Sequence, residues 1–325
     1  MTDASPDAEP LVAVTEFTDP ACPWAWGSEP VVRLLRTVFG DQLRWRRVFG
    51  ILFDDTDDPA PDPAAEARWY EGFVRDVTAH TGAPRPARLH WLTRTSWPAS
   101  LAAEAAQRQG AQPAERVLRR LRESTFVAGT PADSAAGVAW AVHGVPGLDP
   151  DVLRADSASA GARAAVAADH AETRRPCREV RLLDAPGPHP GRAKELADGV
   201  RYALPTLLFD GPGGRVCVPG WRPARTYLDA ARAAAGAALR TAGPVRAEAA
   251  LERWRTLTLP ELELLTGGRT PPAGAVELAT AHGVLWLHPE EAACHPALRE
   301  PHPEAPAGPG GTAAGAAPVS PDETP

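Results

Sequence analysis

Cys22-Pro23-Trp24-Ala25 follows the run LVAVTEFTD, Leu11 to Asp19, and opens a stretch in which Trp26, Val31, Leu34, Leu35 and Val38 recur at helical spacing. A thiol between a strand end and a helix start faces the free N–H groups of the first helical turn. Those groups carry about half a positive charge together. The position therefore predicts a stabilised thiolate at Cys22, with a pKa below the free value of about 8.5. Pro23 fits the first turn, because its missing N–H has no helical partner there. Trp24 and Trp26 are expected to shield the sulfur and to offer a flat contact surface to a substrate. The competing reading is a buried, inert cysteine, the commoner fate of a free thiol. The strand before it, the proline after it and the two tryptophans favour the reactive reading.

The chemistry would rest on one sulfur, since Ala25 stands where a CxxC pair needs its second cysteine. Cys177, Cys217 and Cys294 are far away in sequence, which argues against a disulfide framework or a structural zinc site. Cys177 lies among Arg174, Arg175 and Arg178, either as an activated thiol or as an incidental residue of a solvated loop. Cys217, between Val216 and Val218, reads as a packed strand residue. HPEEAACHP, His288 to Pro296, holds metal-ligating residue types without a recognisable spacing, so no metal is assigned. No P-loop, GxGxxG or GxSxG is present.

The elements that must position these residues follow from periodicity. Leu11 to Asp19 alternates like a strand, Pro23 to Phe39 reads as a helix and Leu43 to Leu52 as a second strand, making one βαβ unit. The acidic, proline-rich DDTDDPAPDPAA reads as a connector. Residues 59–196 read as an all-helical block, with helices at Glu66–Thr81, Ser100–Gly110, Ala114–Val127, Asp133–His143 and Pro150–Arg174. LPTLLFDG and RVCVPGW make a hairpin across GPGG, and a helix follows from Ala224 to Leu239. Beyond Pro244, RAEAALERW, LPELELLT and AGAVELATAHG read as three helices before the strand VLWLHP. These four suggest a small winged-helix-like unit over 244–292. Its third helix has no Arg or Lys, so packing or homodimerisation is a better expectation than DNA contact.

FTDPACPWAWGSEP, ALPTLLFDG and VPGWRPARTYLDAA together resemble the DsbA-like branch of the thioredoxin superfamily, over roughly residues 11–240. The resemblance implies an α/β thioredoxin-like domain, 11–58 and 197–240, interrupted by the helical insertion. It implies that Cys22 is the attacking thiol of thiol–disulfide exchange, tuned by Pro23 and Trp24. Pro205 would be the cis proline facing it. Leu204 would offer its backbone to an extended substrate, with Trp26 and Thr206 lining the same groove. Partners would be protein thiols and disulfides or a small thiol. Ala25 departs from the family pattern and leaves three outcomes. Cys22 can act as a single thiol with glutathione or mycothiol as co-substrate. A distant thiol, Cys177 or Cys217, can resolve it. Otherwise catalysis is lost and the fold serves as an adaptor that binds through the cis-proline groove.

The net charge of -7 argues against broad nucleic-acid binding. The acidic start MTDASPDAEP does not read as a secretory signal. No apolar run approaches the ~18 residues of a membrane span, so a cytoplasmic protein is expected. Residues 1–10 and 297–325 read as disordered tails.

Overall fold

The computed structural model describes residues 11–54, 62–183, 189, 191–196 and 199–300. Both chain ends and the acidic run after Asp54 lie outside them.

Alternating apolar residues put β1 (Val12–Thr18) at the centre of the main sheet. Parallel to it runs β2 (Leu43–Phe49), with Phe17 opposite Val48. On the other side β5 (Thr206–Gly211) is antiparallel and places Thr206 opposite Phe17. The edge strand β6 (Gly214–Pro219) returns through the glycine turn, with Cys217 opposite Leu208. The sheet order is thus β2-β1-β5-β6. A Cβ at Gly213 would collide with the carbonyl of Ala233, so only glycine lets this turn tuck under the next helix.

α1 (Pro23–Val38) connects β1 to β2, and α9 (Ala224–Ala235) follows β6. Val12, Val14, Leu35, Phe39, Phe209, Tyr227 and Ala231 form the core shared by these helices and the sheet. The insertion comprises α2 (Pro63–Thr81), α3 (Trp97–Ala106), α4 (Ala111–Phe126), α5 (Ala135–Ala141), α6 (Pro150–Ser157), α7 (Ala160–Thr173) and the short α8 (Arg178–Arg181). The single helix expected over Pro150–Arg174 is two, because Ser159 accepts the N–H of Ala162 and starts a new one. The block is also not wholly helical. Lys194–Leu196 (β3) and Gly199–Arg201 (β4) pair as a small antiparallel hairpin.

The C-terminal unit differs from expectation in kind. After α10 (Ala247–Trp254), β7 (Thr256–Thr258) and α11 (Leu259–Thr266) comes a strand, β8 (Val276–Ala279), where a third helix was expected. It pairs with β9 (Val284–Leu287), giving the antiparallel order β7-β9-β8. Val276 and Leu278 alternate with Glu277 and Ala279, and they face Leu287 and Leu285. Period two over four residues fits a strand, and Gly274 at φ +76 precedes it in a conformation helices exclude. Without that third helix the unit has no recognition element of the winged-helix kind. The chain also continues in order past residue 296. Pro289–Ala292 (α12) leads into a turn at Pro296–Leu298, and Arg299 donates to the carbonyl of Trp140.

A chain of buried charges holds this unit to the main domain. Arg119 of α4 bonds Glu123 at 2.6 Å and Glu261 of α11 at 2.7 Å. Glu261 also pairs with Arg33 of α1 at 3.2 Å. Arg120 meets Glu291 of α12, and His295 lies 3.1 Å from Glu123. His288, His295 and Cys294 are thus cap and anchor residues: His288 caps α12, and the Cys294 sulfur accepts from Arg120. No group of three or more potential ligands that could hold a metal occurs among the described residues.

Candidate functional site

Cys22 is the N-cap residue of α1, as the β1–Pro20–Pro23 sequence requires. Its N–H donates to the carbonyl of Asp19 at 3.2 Å, and its own carbonyl accepts from Trp26. Across from it the Leu204–Pro205 peptide is cis. The Cys22 thiol donates to the Leu204 carbonyl at 3.5 Å. The structure therefore brings together Cys22, Pro23, Trp24, Leu204 and Pro205.

The environment of the sulfur is the opposite of the one expected. Cys22 is 4% exposed and sits among Phe17, Trp24, Val48, Val77, Tyr202 and Leu204. Burial pushes its thiol up to about 11. The N–H groups of Ala25 and Trp24 and the charge of Arg201 pull it down, as a helix start should, while Asp19 pushes it further up. Desolvation outweighs the dipole because the packed cluster leaves the sulfur little solvent to share its charge. The expected depressed pKa is thus overturned.

From the sequence Asp19 is only the residue that ends β1. It is a wholly buried carboxyl that accepts from the N–H of Ala21 and of Leu52, both at 2.8 Å, and from Ser96 at 3.0 Å. Burial raises its pKa despite those three bonds. Nothing in the sequence marks this role except the break at Asp19-Pro20.

Three of the proposed groove residues do not face a substrate. Trp26 is 1% exposed, stacks on Phe126 and lies under the Arg119 guanidinium, and its Nε1 donates to the Pro84 carbonyl. Thr206 is buried and its hydroxyl donates to the Ala203 carbonyl at 2.7 Å. The Leu204 carbonyl, the expected substrate acceptor, takes a bond from His189 Nε2 at 2.8 Å as well as the thiol contact. His189 also lies against Trp24, with ring centroids 4.9 Å apart. No sequence signal marked His189; it becomes visible only when the end of the insertion folds back against Trp24 and Leu204.

Cys177 packs at the edge of the same cluster, as does Cys217, and both are half-buried. Cys177 N–H donates to Tyr202 Oη at 3.0 Å, and the Tyr202 ring stacks on Phe17 at 4.1 Å. The thiol beside Cys177 is that of Cys217: burial and then the adjacent Cys177 group raise the Cys217 pKa strongly. An apolar edge continues from the cluster to the surface. Phe73 packs against the Cys22 residues, and Trp69, 64% exposed, stacks on Phe73 at 5.4 Å.

A mixed sheet of order β2-β1-β5-β6, a helix opening on Cys22 and a cis proline opposite it define a thioredoxin-like protein with a helical insertion. Residues 16–175 match the family model described as Thioredoxin. Over that stretch the chain is similar to the thioredoxin family, and its fold is thioredoxin-like. A solved structure assigned as a protein disulfide isomerase from Nitrosomonas europaea superposes with a TM-score of 0.50 at 15% identity, covering 67% of this chain and 96% of that one. Two curated relatives are ClpXP adapter proteins SpxH. That of Shouchella clausii is 29% identical over 170 residues, 51% of this chain and 54% of the relative. That of Halalkalibacterium halodurans is 34% identical over 124 residues, 37% of this chain and 40% of the relative. The chain thus spans about half the length of the curated relatives it matches. No described helix is long and apolar enough to cross a membrane.

Proposed function

We propose that this chain is an adaptor on a DsbA-like scaffold: it holds a protein partner and does not turn over disulfides through Cys22. One observation carries the reading. The only thiol at the dithiol position is 4% exposed, protonated at neutral pH with a pKa of about 11, and already engaged with the Leu204 carbonyl. Thiol–disulfide exchange needs a thiolate that can reach the attacked sulfur. The ClpXP adapter role named for the SpxH relatives supports the reading. The contact surface is the exposed Trp69–Phe73 edge, since the Leu204 carbonyl ahead of the cis proline is taken by His189.

The test compares Cys22→Ser and Trp69→Asp in cells lacking the native chain. Proteins whose half-lives lengthen on deletion should return to normal turnover with Cys22→Ser and not with Trp69→Asp. Purified wild type and Cys22→Ser should exchange a glutathionylated peptide at the same rate. A wild-type rate about tenfold or more above that of the variant, with failed rescue by Cys22→Ser, would overturn the adaptor reading. It would favour monothiol exchange with glutathione or mycothiol, for which the Ala25 and Trp24 N–H groups and Arg201 are the supporting features.

A further inference from the structure

We propose that the cleft between α1, the start of α4 and the end of α10 binds a phosphate dianion, either free or carried as the monoester of a small molecule. The cleft measures about 160 Å³ and is lined by Arg33 and Arg36 of α1, Arg116 of α4 and Arg253 of α10. That is well above the ~10–15 Å³ one water needs and below the ~300 Å³ of pockets for drug-sized ligands, so it suits a small anion. It shares no residue with the Cys22 cluster, and the inference stands apart from the adaptor reading. Two carboxylates, Glu29 and Glu115, face the same space, but their oxygens are already taken. Glu115 meets Arg36 at 2.9 Å with one oxygen and Arg47 at 2.7 Å with the other. Glu29 meets Arg122 with one oxygen, and Arg33 and Arg119 with the other. Arg116 and Arg253 are left with main-chain carbonyls as acceptors, those of Pro146 at 3.0 Å and of Arg36 at 3.3 Å. Among the described residues no carboxylate pairs with either of them.

Two guanidinium charges are thus in surplus at one opening, in a chain whose net charge is -7. Trp254 spaces the cations: the Arg33 guanidinium lies 5.0 Å and that of Arg253 4.7 Å from its ring. Arg253 is exposed and Arg33 is buried, so the cleft runs from solvent to a charged floor. Its wall also holds unmet donors. Arg36 Nε and Trp254 Nε1 are buried with no acceptor among the described residues, and the field of an anion in the cleft offsets that cost. α4 adds to the same field. Its N-cap, Gly110, has no side chain to close the helix, and Ala111 and Gln112, which carry the first N–H groups, line the cleft. The cations feel one another: burial, with Arg47 and Arg253, lowers the Arg36 pKa to about 10 against the pull of Glu115. A dianion matches the two unpaired charges, and its tetrahedral oxygens accept from several donors at once. A halide or a monocarboxylate supplies half of that charge.

The experiment titrates the full chain by isothermal calorimetry with inorganic phosphate and, separately, with glycerol phosphate, while chloride holds the ionic strength constant. Wild type should bind at one site per chain. Arg253→Gln and Arg116→Gln should each weaken binding about tenfold or more, since each removes a charge-assisted hydrogen bond. Both variants should melt at the wild-type temperature without phosphate, because neither side chain holds a carboxylate. Saturating phosphate should raise the wild-type midpoint by about 2–4 °C and leave that of Arg253→Gln in place. Arg240→Gln, an exposed arginine outside the cleft, should bind as wild type does. Tighter binding of glycerol phosphate assigns the site to a small phosphomonoester, and equal or weaker binding assigns it to free phosphate. No binding of either anion by wild type up to about 10 mM, or unchanged affinity in both Arg253→Gln and Arg116→Gln, would overturn the proposal.

Discussion

At Cys22 two electrostatic effects compete, and the residue's surroundings decide between them. The helix N-terminus favours the thiolate, but the cluster of Phe17, Trp24, Tyr202 and Leu204 removes the water that would solvate it. With its pKa pushed up to about 11, the sulfur is held as the thiol at neutral pH. His189 completes the enclosure, and its own ionisation reports on it. Burial lowers its pKa to about 4, against a bond to Leu204 that raises it. The folded state therefore holds His189 neutral, while an unfolded histidine protonates near 6.5. Its contribution is fully present above pH 6.5 and is lost as pH falls towards 4. The shift corresponds to about 3 kcal/mol. His189→Ala should speed Cys22 labelling by dithiodipyridine roughly tenfold at pH 7, and the ratio of variant to wild type should shrink as pH falls to 4.5. A constant ratio would separate His189 from access to the sulfur. Much of this site was legible. Strand, proline and tryptophan announced Cys22, and the resemblance carried by that motif together with ALPTLLFDG announced Pro205. The environment was not legible, because burial of a sulfur depends on chain distant in sequence, at Val77, Val180 and His189. Trp26 was misplaced for a simpler reason: residues two apart on a helix point to different sides, so Trp24 and Trp26 cannot share one groove.

At the scale of elements, α1, α4 and α11 are joined by buried charge. Burial alone would raise the pKa of Glu261, but Arg119 and Arg33 outweigh it and hold the carboxyl below its ordinary range. Its contribution to stability is therefore present above the unfolded value and is lost as pH falls through the lower folded one. The same side chain closes the α11 capping box, in which Thr258 N–H donates to Glu261 at 2.7 Å. Glu261→Ala leaves two guanidinium groups buried without their shared partner. It should cost about 3–5 kcal/mol, read as a lower midpoint in urea with unchanged cooperativity. A loss below about 1 kcal/mol would mean that water replaces the carboxylate. These three helices were readable from apolar spacing, since periodicity reports which face is buried. The ion network was not, because arginine and glutamate spacings on a helix look the same whether they face water or a neighbouring helix. β8 was missed because a four-residue strand is too short for alternation to outweigh the helix-favouring Glu, Leu and Ala it contains.

Across the whole molecule, the C-terminal unit completes the domain and is not an appendage to it. Trp254 lies under the Arg33 guanidinium, 5.0 Å from ring centroid to carbon, and the Thr256 carbonyl accepts from the same group. Leu285 and Leu287 of β9 enter the core that holds Trp26, Tyr70 and Phe126. The insertion in turn touches the sheet through α7, where Asp169 accepts the N–H of Phe49. Each part thus lends buried groups to the next, and the surface around Cys22 is shaped by all three. A chain ending at residue 243 would strip Arg120 of Glu291 and both Arg33 and Arg119 of Glu261, leaving Glu29 to Arg33 and only Glu29 and Glu123 to Arg119. Uncompensated buried charge costs several kcal/mol for each ion, comparable to the whole stability of a domain at about 5–15 kcal/mol. The truncated chain should therefore be largely unfolded at 25 °C by near-ultraviolet circular dichroism, and Cys22 should label at the rate of a free peptide thiol. A cooperative melt for residues 1–243, with Cys22 still protected, would show that the unit is dispensable and that the enclosure of the sulfur is a property of the thioredoxin-like domain alone.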